Sequence, residues 1–292
     1  MPKFVYRCLK PTLIMTLASC LALSACGGVE TPASLTDVQR DSVKIVKPSD
    51  IEYVPLNPAR GDAAPQAGML WGNLREDVPT GMILKFADGF DSPPHIHNIT
   101  YRGVVISGAL HNDDPGAKKM WMESGSYWMQ PAGENHVTSA RPGAPAVSFL
   151  EILEGPYLVQ PSDKAFDDGE RPLNVDRSNI VWMDNEDLEW ITADAGVETA
   201  MLWGSKTPGE ARAAFIKLPA KASATLSALE SSLHAVLIEG DLLHRVSGSD
   251  VKSDLSPGGY ISSDDAIRHD LTCKSISECL LYVRSDGRFA ID

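Results

Sequence analysis

Residues 93–103 read PPHIHNITYRG and place two of the chain's seven histidines one residue apart, directly after a proline pair. A third, His136, ends the stretch QPAGENH at 130–136. Neutral imidazole is the commonest protein ligand for metals. Three such rings meeting at one point would hold a divalent cation and leave coordination positions for water or substrate. Histidines equally serve as hydrogen-bonded core residues, so the question is whether the backbone brings the rings together. A strand does part of this. Alternate side chains share a face, so His95 and His97 point one way and Ile96 the other, with Tyr101 in the same parity. His136 has to come from a different strand.

The elements that must position these residues read as strands. MILKF (82–86), YRGVVISG (101–108), YWMQP (127–131), AVSFLEIL (146–153), AAFIKL (213–218) and CLLYV (279–283) are short, apolar or alternating, and bounded by Gly, Pro, Asp and Asn. Only SATLSALESSL (223–233) hints at a helical period. The chain also repeats itself. MLWG occurs at 69–72 and 201–204, an offset of 132, and the same offset lays MILKF on AFIKL (214–218) and YRGVVISG on LHAVLIEG (233–240). Two all-β domains are predicted, at 43–160 and 179–292, joined by the polar, proline-containing stretch 161–178.

Composition bounds the function classes. Of 292 residues, 43% are hydrophobic and 22% charged, which is globular, and the formal charge of −13 argues against a nucleic-acid partner. The first 25 residues are different. Lys3, Arg7 and Lys10 precede the apolar run TLIMTLASCLALSA, the pattern of an export signal. Leu23-Ser24-Ala25-Cys26 resembles the lipobox of bacterial lipoproteins, in which the cysteine becomes the lipidated N-terminus. This predicts a signal peptide at 1–25 and lipidation at Cys26. Residues 26–42 then form a tether, and the membrane is met only through the lipid. Gly27, where an aspartate would suggest inner-membrane retention, favours an outer-membrane, periplasm-facing location. Without the signal's three cations the formal charge becomes −16. Of five cysteines, Cys8 and Cys20 leave with the signal, and Cys273 and Cys279 remain. An oxidising compartment lets these two pair across a loop; two free thiols or half a metal site are the rival readings.

The histidine stretches carry a resemblance. Gly89-x5-His95-x-His97-x3-Tyr101-x6-Gly108 resembles the first conserved motif of the cupin superfamily, and Gly125-x5-Pro131-x-Gly133-x2-His136 its second. The match covers 45–160, and the second copy follows by repeat. The whole resembles a two-barrel cupin (bicupin) of an uncharacterised bacterial family. The resemblance implies two tandem jelly-roll barrels with a site inside the first and one divalent metal, zinc, iron, manganese or nickel, on His95, His97 and His136. Where cupins usually carry a glutamate ligand this chain has Tyr101, which then serves as a hydrogen-bond partner of the ligands, as a weak acid or as an occasional ligand. Asp91, Glu123 or Glu134 are candidate replacement carboxylates, though no spacing selects one. His111 is expected at the surface. Phe90, Trp121, Tyr127, Trp128 and Phe149 are candidate pocket or core aromatics. In the second copy the constant offset puts Ser227, Leu229 and Leu233 at the positions of His95, His97 and Tyr101. Only His269 matches a ligand, so that copy is expected to be metal-free.

Two functions of different class fit. One is a metal-dependent enzyme of oxygenase, isomerase or hydrolase type acting on a small molecule. The other is a non-catalytic module that binds or senses a metal or small ligand in the cell envelope. No G-x-S-x-G elbow, P-loop or G-x-G-x-x-G occurs in the chain. A homodimer is compatible with the resemblance.

Overall fold

The computed structural model describes residues 42–292, except 193–195, 206, 208, 230 and 265. The export signal at 1–25, Cys26 and the tether up to residue 41 lie outside the described residues.

Almost every element is a strand, and the ladders between strands are antiparallel. In the first half a seven-stranded sheet runs Leu173–Val175, Tyr127–Gln130, Tyr101–Ser107, Ala146–Ile152, Thr80–Phe86, Gln66–Trp71 and Val54–Pro55. Its central strands are apolar on both faces because both faces are covered. One face packs on the smaller sheets of its own barrel, Val137–Ala140 with Ala109–Asp113 and Met122–Glu123, and His95–His97 with Val159–Pro161. A core of Met82, Leu84, Leu110, Met122, Trp128 and Leu150 fills the space between. The second half repeats the plan with a six-stranded and a five-stranded sheet. Together they form an all-β, cupin-type jelly-roll architecture with two barrels. The segment with a helical hint is a strand, Ser223–Leu229, buried between Arg268–Cys273 and Arg288–Ile291. Tertiary pairing overrides its local period.

The outer faces of the two large sheets pack together, joining Ile83, Val104 and Phe149 to Phe215, Val236, Tyr260 and Tyr282. The repeated MLWG sits at this seam. In both copies the strand carries a register shift between Met and Trp, at Met69/Trp71 and at Met201/Trp203. Such a bulge re-aims the side chain that follows it. Trp71 stacks on His234 and Tyr260 of the other half, with ring centroids 4.5 and 5.3 Å apart. Trp203 lies under the Arg102 guanidinium of the first half at 4.7 Å. The halves also trade edges. Val43–Val46 pairs with Tyr260–Ser263 in the second half, and Leu173–Val175, within the stretch read as a junction, pairs with Tyr127–Gln130 in the first.

Across the seam, Glu151 is fully buried. Arg284 Nε stands 3.0 Å from its carboxylate, though with its N–H aimed away from the oxygen, and the Tyr282 hydroxyl donates to Glu151. Burial pushes the Glu151 carboxyl up to about 7, against the pull of Arg284.

Cys273 and Cys279 form a disulfide with Cα atoms 5.6 Å apart, both side chains fully buried. It closes a short loop, for which the chain-entropy relation gives about 2 kcal/mol. A double Cys273→Ser/Cys279→Ser variant is expected to lose about this much stability in urea unfolding, and reductant should then have no further effect on it.

Candidate metal centre

His95 and His97 lie on a three-residue strand held by Val159–Pro161, with Val159 opposite His97. His136 arrives at the start of Val137–Ala140, and its backbone exchanges two 3.0 Å hydrogen bonds with His95. Gly133 makes this approach possible. Its φ is +75°, its N–H donates to the His97 carbonyl at 2.8 Å, and a Cβ there would meet the Phe166 carbonyl oxygen at 2.3 Å. One ring nitrogen from each of the three histidines lies within 4.8 Å of the others. Ile96 points to the opposite side and is fully buried.

The main chain sets the tautomers. Nδ1 of His95, His97 and His136 lies 2.8, 3.0 and 3.0 Å from the carbonyl oxygens of Pro93, Leu158 and Glu134. A carbonyl only accepts, so each Nδ1 carries the proton and each Nε2 presents a lone pair, that of His97 facing the Tyr157 hydroxyl at 3.1 Å. Burial lowers the basicity of all three: His136 is held down to about 3 and His97 well below its ordinary value, with the charges of neighbouring histidines adding to the effect. Three neutral, pre-oriented Nε2 donors fit a divalent cation of the imidazole-preferring kind.

Around them is a buried polar network. The Tyr101 hydroxyl sits 3.1 Å from His136 Nε2 and donates to Asn112 Oδ1 at 2.9 Å, an oxygen that also accepts from Thr138. Asn112 in turn donates to Gln130 Oε1 at 2.8 Å. On the other side Tyr157 stacks on His97 at 4.3 Å, and its hydroxyl lies 3.1 Å from His97 Nε2. Burial raises both phenols, so they are protonated donors at neutral pH.

The three candidate carboxylates stand apart from the cluster. Asp91 pairs with Lys119 and Ser139, Glu123 with Arg141, and the Glu134 side chain faces Arg171. His111, expected at the surface, is buried instead, accepting the Met120 N–H beneath the edge of Trp121. The strand Ala109–Asp113 turns its odd and even positions alike against covering layers. Of the aromatics, Phe90 and Trp128 line the cavity described below, while Tyr127 and Phe149 belong to the seam. Tyr157 and Asn112 escape a reading by motif. Both are brought in by long-range folding alone.

A cavity of about 170 Å³ opens over His95 and His97. Leu84, Phe86, Phe90, Trp128 and Leu150 make much of its wall, with His95, His97, Tyr101 and Tyr157 among its polar groups. A cavity of about 150 Å³ with such a lining accepts benzene, which sets the scale of an occupant.

The family model "Domain of unknown function (DUF4437)" matches residues 44–292, and the chain belongs to that family. No curated protein matches it in sequence. Among solved structures the fold is shared with a provisionally named dioxygenase of Nostoc punctiforme (TM-score 0.63, 12% identity, 84% of this chain and 83% of that one). It is also shared with salicylate 1,2-dioxygenase of Pseudaminobacter salicylatoxidans (0.56, 15%, 85% and 88%). A third is oxalate decarboxylase of Lactobacillus farciminis as a formate complex (0.56, 9%, 85% and 87%). At these identities the likeness is one of fold.

The second barrel is built differently at the same place. There Leu226 faces His269 as His95 faces His136. The counterparts of His95 and His97 are therefore Leu226 and Ala228, one residue upstream of the positions given by a constant offset. His269 instead contacts His244 at 2.9 Å and Ser263 at 2.9 Å, while His244 Nδ1 finds no partner among the described residues. Burial holds His244 down to about 4 and His269 to about 3. Unfolded, each takes up a proton near pH 6.5, so their contribution is intact above 6.5 and is lost as pH falls below it. The slope is about 1.4 kcal/mol per pH unit for each group. Melting temperatures from pH 7 to 5 should fall more steeply for wild type than for His269→Gln; parallel curves would exclude this account.

Proposed function

We propose that the first barrel is a metal-dependent enzyme of the oxygenase type acting on a small organic molecule. The observation that carries this reading is the convergence of one ring nitrogen from each of three histidines beside a largely apolar cavity of about 170 Å³. A divalent cation bound by His95, His97 and His136 would supply Lewis acidity with open positions and, as ferrous iron, one-electron chemistry with dioxygen. The chain's own groups do the rest. The backbone carbonyls hold the rings, and Asn112 draws the Tyr101 proton away from His136, leaving that nitrogen free to bind. Tyr157 keeps a protonated hydroxyl beside His97, and the aromatic wall excludes water from the bound molecule. The fold neighbours support a small-molecule occupant: a salicylate 1,2-dioxygenase of this fold is known as adducts with gentisate.

Elemental analysis of the purified mature chain tests this. About one divalent metal per chain is expected, falling at least tenfold in His97→Ala, since loss of one of three ligands forfeits the site. Two metals per chain, or unchanged content in the variant, would overturn it.

We further propose that the protein is anchored through a lipid on Cys26 and faces the periplasm, on the strength of the basic, apolar and Leu-Ser-Ala-Cys segments. Wild type should fractionate with outer membranes, and Cys26→Ser should be released to the soluble fraction. A wild-type chain found soluble would end that reading.

A further inference from the structure

The walls of the cavity carry a charge asymmetry that the metal site does not use. The chain as a whole is acidic, with 39 Asp and Glu against 26 Lys and Arg. Yet among the described residues the cavity is lined by no carboxylate and by a single permanent cation, Arg60. Arg60 sits on the 3-10 turn Pro58–Ala63, which Pro58 starts and Asn57 caps by accepting the Ala59 N–H at 3.1 Å. Its guanidinium makes no ion pair or side-chain hydrogen bond among the described residues. Arg75, Arg102, Arg212 and Arg288 also lack a described ion pair, but of these arginines only Arg60 lines the cavity, where no carboxylate competes for it.

The size of the cavity and the chemistry of its walls limit what Arg60 can serve. Phe86, Phe90, Leu84 and Leu150 favour an apolar body, and the volume suits a single ring. A guanidinium offers a planar fork of donors that matches a carboxylate in two parallel hydrogen bonds. Arg60, His95 and His97 line one cavity, so an acid seated on Arg60 keeps its ring in the same space as the imidazole edges.

We propose that Arg60 is the specificity-determining residue of this site and that the substrate class is a monocarboxylic acid with a compact, single-ring apolar body. The proposal rests on the reading of the first barrel as the enzyme's site, and it deepens that reading by assigning the substrate's charge.

Benzoate and its neutral isostere benzamide are the probes, titrated calorimetrically into the chain as purified and again after chelation. Wild type is expected to prefer benzoate by about tenfold, the worth of about 1.4 kcal/mol. The preference should vanish in Arg60→Gln and persist only in part in Arg60→Lys, which keeps the charge but loses the fork; because Arg60 is exposed, both variants should fold. Equal affinities, a preference that survives Arg60→Gln, or no binding of either probe at millimolar concentration would each overturn the proposal. Metal content measured on the same samples separates the two readings. A metal-loaded chain without the preference sinks only the role of Arg60. A metal-free chain with an Arg60-dependent preference sinks the metal enzyme and leaves the acid-binding cavity standing.

Discussion

Three main-chain carbonyls govern this site. Each takes the Nδ1 proton of one histidine, and so each decides which nitrogen of that ring is free. Without those bonds a buried neutral imidazole could present either nitrogen, and three rings would share no common set of donors. The carbonyls come from Pro93, Leu158 and Glu134, so the arrangement depends on three separate segments keeping register. The hairpin-like bridge between His95 and His136, the short ladder to Val159–Pro161 and the left-handed Gly133 all serve that register.

A second constraint is the seam between the barrels. The central strands of the large sheets can be apolar on both faces only because a second barrel covers the outer one. The seam is made specific by its polar members. Trp71 on His234, Arg102 over Trp203, and Glu151 with Arg284 and Tyr282 each join one half to the other. A buried pair of this kind adds little net stability but penalises a misaligned docking, in which either charge would be left alone. With the exchanged edge strands, this makes the second barrel part of the scaffold of the first.

The two barrels therefore show what one architecture does with and without a site. Where the first has His95 and His97, the second has Leu226 and Ala228, which belong to a continuous apolar core. Where the first has Asn112 receiving a tyrosine proton, the second has His244 against His269. The fold tolerates both fillings because its ladders are main-chain bonds.

Much of this was legible in the chain itself. Strand periodicity and the repeat with offset 132 sufficed for two all-β domains, and the resemblance of the two histidine stretches to cupin motifs added the jelly-roll type and three imidazoles in the first half. MLWG was visible as a repeat, but its purpose was not, because a bulge shows only when two strands are laid side by side. Local pattern misled at Ser223–Leu229, where neighbouring strands outweigh a weak helical period, and at His111, buried by layers remote in sequence. Tyr157, Asn112 and Arg60 had no motif to mark them. The sequence by itself determined which residues share a strand face, since alternation is a property of one backbone. Only the tertiary structure decided which faces meet, which nitrogen each ring presents and that Arg60 comes to line the cavity, because those depend on contacts between segments tens of residues apart.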